Sequence, residues 1–366
     1  MPEFLRTILA FAVVLGVLVF VHELGHYLAA RWRGIHVEAF SIGFGRSIAR
    51  WTDRRGTVWK LGWIPLGGYV KLHGQERPED VSPEMRAAWQ PGRTFHSKSV
   101  GDRAIVVAAG PVANFVLAAV LFSALFVVVG RPIGEPVIAT VIPGGAAAAA
   151  GLQPDDRIVA IDGVSIARFS QLQKRIAAAP DRALTLRIRR AGQEQNVPVH
   201  VGTDPTAAHP TGLLGIRGGK VAYTPVSMLD AIPAGIAETG QTVGKILSGI
   251  GQMISGTRGA GEIGGPLAIA QMSGQVAQLG VAALIRLIAL LSVNLGLLNL
   301  FPIPVLDGGH LLFFAAEALR GRPLAARAQE YGFRAGLALL AGLFVFATWN
   351  DLSHIGVVQW VAHRFG

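Results

Sequence analysis

The sequence predicts a polytopic α-helical membrane protein of about four spans, with one small α/β domain inserted between them. Three observations predict it. Of the 366 residues, 51% are hydrophobic and only 15% are charged, and mean hydropathy is +0.45, a balance typical of membrane proteins. Four stretches are apolar over close to a bilayer's thickness. Between the second and third lies a stretch with strand and turn signals instead. Length allows about two domains. The chain has no cysteine, which excludes disulfides, thiolate metal ligands and a cysteine nucleophile. Net charge is +10, but the basic residues are spread between apolar spans rather than gathered into a stripe. That distribution fits lipid headgroups and membrane topology, not nucleic acid.

The first span runs from Phe4 to Ala30. Arg6 and the uncharged run to Val21 look like a secretory leader, but no small-x-small cleavage site ends the run, so the helix is read as retained. At its inner end stands His22-Glu23-Leu24-Gly25-His26. On a helix this spacing puts two imidazoles on one face, about 6 Å apart along the axis. Such a pair can hold one Zn²⁺, with Glu23 placed to take a proton from water. Residues 31–102 follow as a cytoplasmic region. The second span, Ala104 to Gly130, carries no charge. The third is expected at about 284–306. The fourth, at about 333–352, is short and needs tilt or a thinner bilayer. Arg31, Arg33, Lys98, Arg103, Arg320, Arg322, Arg327 and Arg334 flank one set of span ends, and far fewer basic residues flank the other. This predicts both termini outside and the metal motif toward the cytoplasmic side.

Residues 131–220 read as the inserted domain. Val137 to Val141 is strand-like, and Gly144 to Leu152 is a small-residue turn and short helix. Asp155 to Gly163 is a strand entering a tight Asp-Gly turn, Ser170 to Ala178 is helical, and Leu184 to Arg189 alternates as a strand. The run from Ala150 to Gly163 resembles a bacterial PDZ domain, in a single copy. Residues 221–280 place Asp230, Glu238, Gln241 and Lys245 among Ile, Leu and Met. They are read as an amphipathic interfacial helix and linker, the alternative being a helix packed on the small domain.

Two histidines leave a catalytic zinc site one protein ligand short. Asn299 to His310 contains Pro302, Pro304, Gly308 and Gly309, which break the third span. Irregular backbone at membrane depth is tolerated only where it is buried in protein or lines a cavity, and an ionisable side chain there is a functional candidate. Asp307 can complete the set. His310 competes for that place, and Asp307 could instead cap a helix beginning at Gly308.

The motif at 22–26, Gly67-Gly68-Tyr69-Val70-Lys71-Leu72, Gly110-Pro111-Val112-Ala113-Asn114-Phe115, the PDZ-like region and Asn299 to His310 together resemble the site-2 protease (M50-type) family of intramembrane zinc metalloproteases, in its regulator-of-sigma-E branch. The resemblance spans nearly the whole chain. It implies that His22, His26 and Asp307 bind one Zn²⁺ and that Glu23 is the general base. Asn299 and Asn114 would contact substrate or support the site, a plain helix–helix hydrogen bond being the alternative for each. Residues 58–72 would form a β element re-entering the membrane, with Gly67, Gly68 and Tyr69 beside an unwound substrate held by β-augmentation. The implied activity is intramembrane cleavage of single-span membrane proteins, such as a pre-cleaved anti-sigma factor or remnant signal peptides. An upstream site-1-type protease would act first. The implied location is the bacterial inner membrane, with the PDZ-like domain extracytoplasmic. An inactive PDZ scaffold and a metal transporter are the competing readings. The intact Glu23 counts against the first, and the charge-free second span against the second.

Overall fold

The computed structural model describes residues 2–76, 81–203, 210–218, 221–257, 259, 261 and 264–354. Residues 355–366, beyond the fourth expected span, lie outside the described residues. The chain forms two compact units, one of 1–125 together with 228–366 and one of 126–227. Along the first unit run α1 (Glu3–Trp32), β1 (Val37–Thr52), β2 (Val58–Leu72), the short α2 (Pro83–Ala87) and α3 (Val100–Val128). The second unit contains β3 (Arg131–Gly134), β4 (Ile138–Val141), α4 (Ala146–Ala149), β5 (Arg157–Ile161), β6 (Val164–Ser165), α5 (Phe169–Ala177), β7 (Ala183–Arg190), β8 (Gln193–His200), β9 (Gly202–Thr203), β10 (Gly212–Leu213), β11 (Ile216–Gly218) and β12 (Val221–Thr224). The chain returns to the first unit through α6 (Met228–Ile254), α7 (Pro266–Gln278), α8 (Val281–Asn299), α9 (Asp307–Arg320) and α10 (Ala326–His354). Among the described residues four helices, α1, α3, α8 and α10, are long and apolar enough to cross a membrane.

In the first unit, α1 and α3 meet backbone to backbone. A Cβ on Gly25 would lie 2.3 Å from the Ala109 carbonyl oxygen, so only glycine permits the approach, as in small-residue crossings of membrane helices. β1 and β2 bend over one another. Phe40 pairs with both Val70 and Trp59, and Trp59 pairs also with Trp51, so residues 39–42 lie between two stretches of β2. Tyr27 of α1 stands edge-on to Phe40 and Trp59, with ring centroids 5.9 and 5.3 Å away. This aromatic seat fixes the sheet against the helix that carries the metal motif. The far half of β1, from Arg46 to Trp51, is exposed.

α7 packs on α1, with Gly274 against Thr7. Asp351 near the end of α10 accepts from the backbone N–H groups of Gly265, Leu267 and Ala268 at 2.8, 3.0 and 3.0 Å, capping the start of α7. α6 turns a small-residue face inward, burying Ala231, Gly235, Thr239 and Thr242. Gly235 rests on Ala119 and Ser123 of α3.

The third span differs from expectation. The helix ends at Asn299 rather than 306, and α9 begins at Asp307. Pro302 and Pro304 remove backbone donors over that stretch, and Val305 sits at φ +124°, a strained region for a β-branched residue. The fourth helix begins at 326, before the expected 333.

The second unit has a four-stranded sheet in the order β6-β5-β7-β8, with β4 paired to β11 and β3 to β12. Its core gathers Ile138, Ile158, Ile161, Leu172, Leu186 and Ile188. Asp162 and Gly163 both have positive φ, 46° and 77°, as a two-residue hairpin turn requires. Asp156 is buried and receives Arg190 through two contacts of 2.7 Å.

Candidate metal centre

His22 and His26 project from one face of α1, with ring centroids 4.8 Å apart and edge to face. Asp307 arrives from the start of α9. Its approach depends on Gly308 and Gly309. A Cβ on either would lie 2.3 Å from the Leu300 and Phe301 oxygens or 2.4 Å from the Ile303 oxygen, so only glycines let α9 nest under the broken stretch. Leu306 holds the N-cap position of this helix, and Asp307 stands in its first turn.

Three donor atoms converge. His22 Nε2 and His26 Nε2 are 3.2 Å apart, and Asp307 Oδ2 lies 3.2 Å from the first and 3.5 Å from the second. Tetrahedral zinc with bonds of about 2.0–2.1 Å holds neighbouring donors about 3.3 Å apart. The triangle therefore has the edge lengths of one face of such a tetrahedron. Asp307 Oδ2 is buried and accepts no hydrogen bond, as fits an oxygen whose lone pair is directed at a cation. Among the described residues this is the one His and carboxylate group of three placed to hold a metal. His310 is not in it. Its ring lies 5.3 Å from that of Phe333 instead.

The proton positions agree. His26 Nδ1 lies 2.9 Å from the Val106 carbonyl. A carbonyl only accepts, so Nδ1 donates and Nε2 keeps its lone pair for metal. Gly110 stands one turn along the same face of α3. A Cβ there would lie 2.2 Å from His26 Nε2 and 2.9 Å from His22 Cε1, so this glycine leaves the space in which the imidazoles meet. Neither Val106 nor Gly110 was singled out from the sequence as a support of the site. The Gly110-Pro111 pair inside a charge-free span was the available signal.

Glu23 turns toward β2. A Cβ on Gly68 would come within 3.1 Å of Glu23 Cγ. Gly67, at φ +109°, packs under the Phe44 ring, where a Cβ would lie 2.7 Å from Cε2. Tyr69 stacks on Phe44 at 6.3 Å. Asn299 donates to the Leu295 carbonyl of its own helix at 3.0 Å. Asn114 is fully buried, with its carboxamide 3.1 Å from His22 Nδ1, so it stands beside the histidine.

The centre can do one kind of chemistry well. It joins a His₂-carboxylate donor set to a further carboxylate, Glu23, between the two histidines on α1, the arrangement of a metal-dependent hydrolase.

The sequence of residues 10–343 matches the description Peptidase family M50. A protein of Agrobacterium fabrum whose name carries the words zinc metalloprotease is 45% identical over 361 residues, covering 95% of this chain and 96% of that one. The metalloprotease MmpA of Caulobacter vibrioides is 37% identical over 403 residues, covering 100% of both. The regulator of sigma-E protease RseP of Escherichia coli is 33% identical over 457 residues, covering 97% of this chain and 100% of that one. Among solved structures, the PDZ domain of an SdrC-like protein from Listeria innocua is similar at 17% identity with a TM-score of 0.21, covering 24% of this chain and 98% of that one.

Proposed function

The chain belongs to Peptidase family M50 and is a zinc metalloprotease, and from that premise we propose that it cuts single-span membrane proteins within the bilayer and so releases a cytoplasmic regulator. One observation carries the proposal. The donor triangle of His22, His26 and Asp307 is built from α1, which is long and apolar enough to span, and from the broken stretch following α8, which is another such helix. A hydrolytic centre at that position meets peptide bonds that a soluble protease does not reach.

His22, His26 and Asp307 hold the zinc, which supplies Lewis-acid polarisation and water activation at neutral pH. Glu23 accepts the proton of the attacking water and passes it to the leaving amine. Peptide carbonyls in a helix are already hydrogen-bonded, so the substrate must unwind before it is cut. Gly68 of β2 lies beside Glu23, and an extended substrate added along β2 at Gly67, Gly68 and Tyr69 would present its backbone to the site. Asn299, at the end of α8, would contact that backbone by exchanging its bond to Leu295.

The basic residues at the ends of α1, α3, α9 and α10 favour a cytoplasmic position for those ends. In that orientation the protein sits in the bacterial inner membrane, with both termini and the PDZ-like unit outside. That unit would act as a size filter, admitting substrates such as an anti-sigma factor or a remnant signal peptide only after an upstream protease has trimmed them.

The test is reconstitution with a tagged single-span substrate bearing a short outer tail. The mass of the product is expected to place the cut inside the substrate's apolar segment. Cuts confined to the soluble tails would refute intramembrane cleavage. Deletion of 134–203 is expected to permit cleavage of untrimmed substrate, and continued rejection would refute the filter.

A further inference from the structure

We propose that Asn114 is a positioning residue that sets the proton and orientation of His22, and thereby the affinity of the centre for zinc. The inference rests on the metal-centre reading above. The two histidines need the same thing. Each must keep Nε2 unprotonated, which it does when Nδ1 carries the proton and donates it elsewhere. For His26 the acceptor is the Val106 carbonyl at 2.9 Å. For His22 the group facing Nδ1 is the Asn114 carboxamide at 3.1 Å.

Nδ2 of that carboxamide faces the ring, whereas a metal at His22 Nε2 requires the amide turned over. With its nitrogen toward the ring, the amide would donate to Nδ1 and drive the ring proton onto Nε2, the atom that faces His26 and Asp307. With the amide turned over, Oδ1 accepts from His22 Nδ1–H, and both Nε2 atoms of the centre point lone pairs into it.

The placement is a product of α3. Val106, Gly110 and Asn114 are spaced four residues apart and share one face of that helix. Running along α1, this face gives His26 an acceptor, leaves room for both rings at Gly110, and gives His22 an acceptor in turn. Asn114 is itself held. Ser292 of α8 donates to its backbone carbonyl at 2.8 Å, and Gly296 lies against its Cβ, where an added Cβ would sit 3.3 Å away. One helix thus supplies the outer partners of both histidine ligands, and a second keeps that helix in place.

The experiment uses the full-length protein in detergent and measures zinc affinity by competition with a chromophoric chelator. The variants are Asn114→Ala, Asn114→Asp and Ser292→Ala, each with a thermal unfolding curve. Outer partners of metal-bound histidines are typically worth about 10–100-fold in metal affinity. Asn114→Ala is therefore expected to weaken zinc binding by about that factor. Asn114→Asp, whose carboxylate also accepts from Nδ1–H, is expected to stay within about 3-fold of wild type by the same reasoning. Ser292→Ala loosens the packing but leaves the carboxamide, and its affinity is expected to be unchanged. Asn114→Ala with wild-type affinity would overturn the proposal. So would an equal loss in Asn114→Asp or Ser292→Ala, because the cause would then be packing. A rise in KM with zinc affinity and kcat unchanged would return Asn114 to substrate binding. Should Asn114→Ala fail to fold, Asn114→Asp decides alone, since affinity reduced 10-fold or more in a folded protein refutes the role. Wild type that binds no zinc refutes the metal centre itself, a result distinct from any of these.

Discussion

Replacing Gly110 with alanine adds a single methyl group, and the structure fixes where it goes. The new Cβ would lie 2.2 Å from His26 Nε2, 2.5 Å from His26 Cε1 and 2.9 Å from His22 Cε1. Ordinary contact begins near 3.4 Å, so the His26 ring must withdraw by about 1.2 Å, or α1 and α3 must part by a similar amount. Neither is compatible with the donor triangle, because metal–ligand distances tolerate only about 0.2 Å. Parting the helices would also open the backbone contact between Gly25 and Ala109, the residues next to His26 and Gly110. The variant thus loses one of three protein ligands, a larger change than losing an outer partner, and zinc affinity should fall by more than about 100-fold. Loss of fold is not the expected cause. Glycine to alanine inside a helix favours the helix by about 0.5–1 kcal/mol. Chelator competition measures the affinity, and thermal unfolding of the metal-free protein checks the fold. Gly16→Ala is the control on α1, since nothing lies within 4 Å of its added Cβ, and it should keep wild-type affinity. Gly110→Ala that folds and binds zinc within about 3-fold of wild type, against the 100-fold expected for a lost ligand, would refute the assigned geometry.

Asp307→Asn should abolish stoichiometric zinc binding, whereas His310→Ala should retain it, because only Asp307 lies in the triangle; metal analysis of both purified variants decides. In the second unit the Asp156 carboxyl is pushed up by burial but held below the ordinary carboxylate range overall, because Arg190 and the Gln153 N–H bond its charged form. A depressed carboxyl contributes stability that is present above its unfolded value of about 3.9 and lost as pH falls through the folded value. Asp156→Asn should therefore lose about 1–3 kcal/mol at pH 7, and the Tm gap to wild type should narrow as pH falls to 3. A gap independent of pH would refute this.

Local signals were legible in the sequence, and signals that depend on two segments meeting were not. His22 and His26 are set by helical periodicity alone, and Asp307 stood out as an ionisable residue in a broken span. The Asp162-Gly163 turn was legible because its residues name its conformation. β8 was not, since Gln193 to Asn196 are exposed and lack alternation, and its turn at Ala191 and Gly192 puts an alanine at positive φ. α7 buries Ser273 and Gly274 rather than large apolar residues, so it carries no amphipathic stripe. Residues 39–42 touch two stretches of β2, a pairing no single segment encodes. Asn114 is the clearest case. Its residue type allowed several roles, and only the crossing of α3 on α1 at Gly25 turns it toward His22.

The central claim is a zinc-dependent cut with Glu23 as the base. Its most direct test compares wild type with Glu23→Gln, both purified in detergent, on a tagged single-span substrate with metal content measured in each. Glu23 lies outside the donor triangle, so equal zinc in both is expected, with cleavage by Glu23→Gln reduced by about 10²–10⁴. Cleavage by the variant at the wild-type rate would contradict the assignment of Glu23, and no cleavage by zinc-loaded wild type across several substrates would contradict the proposed activity.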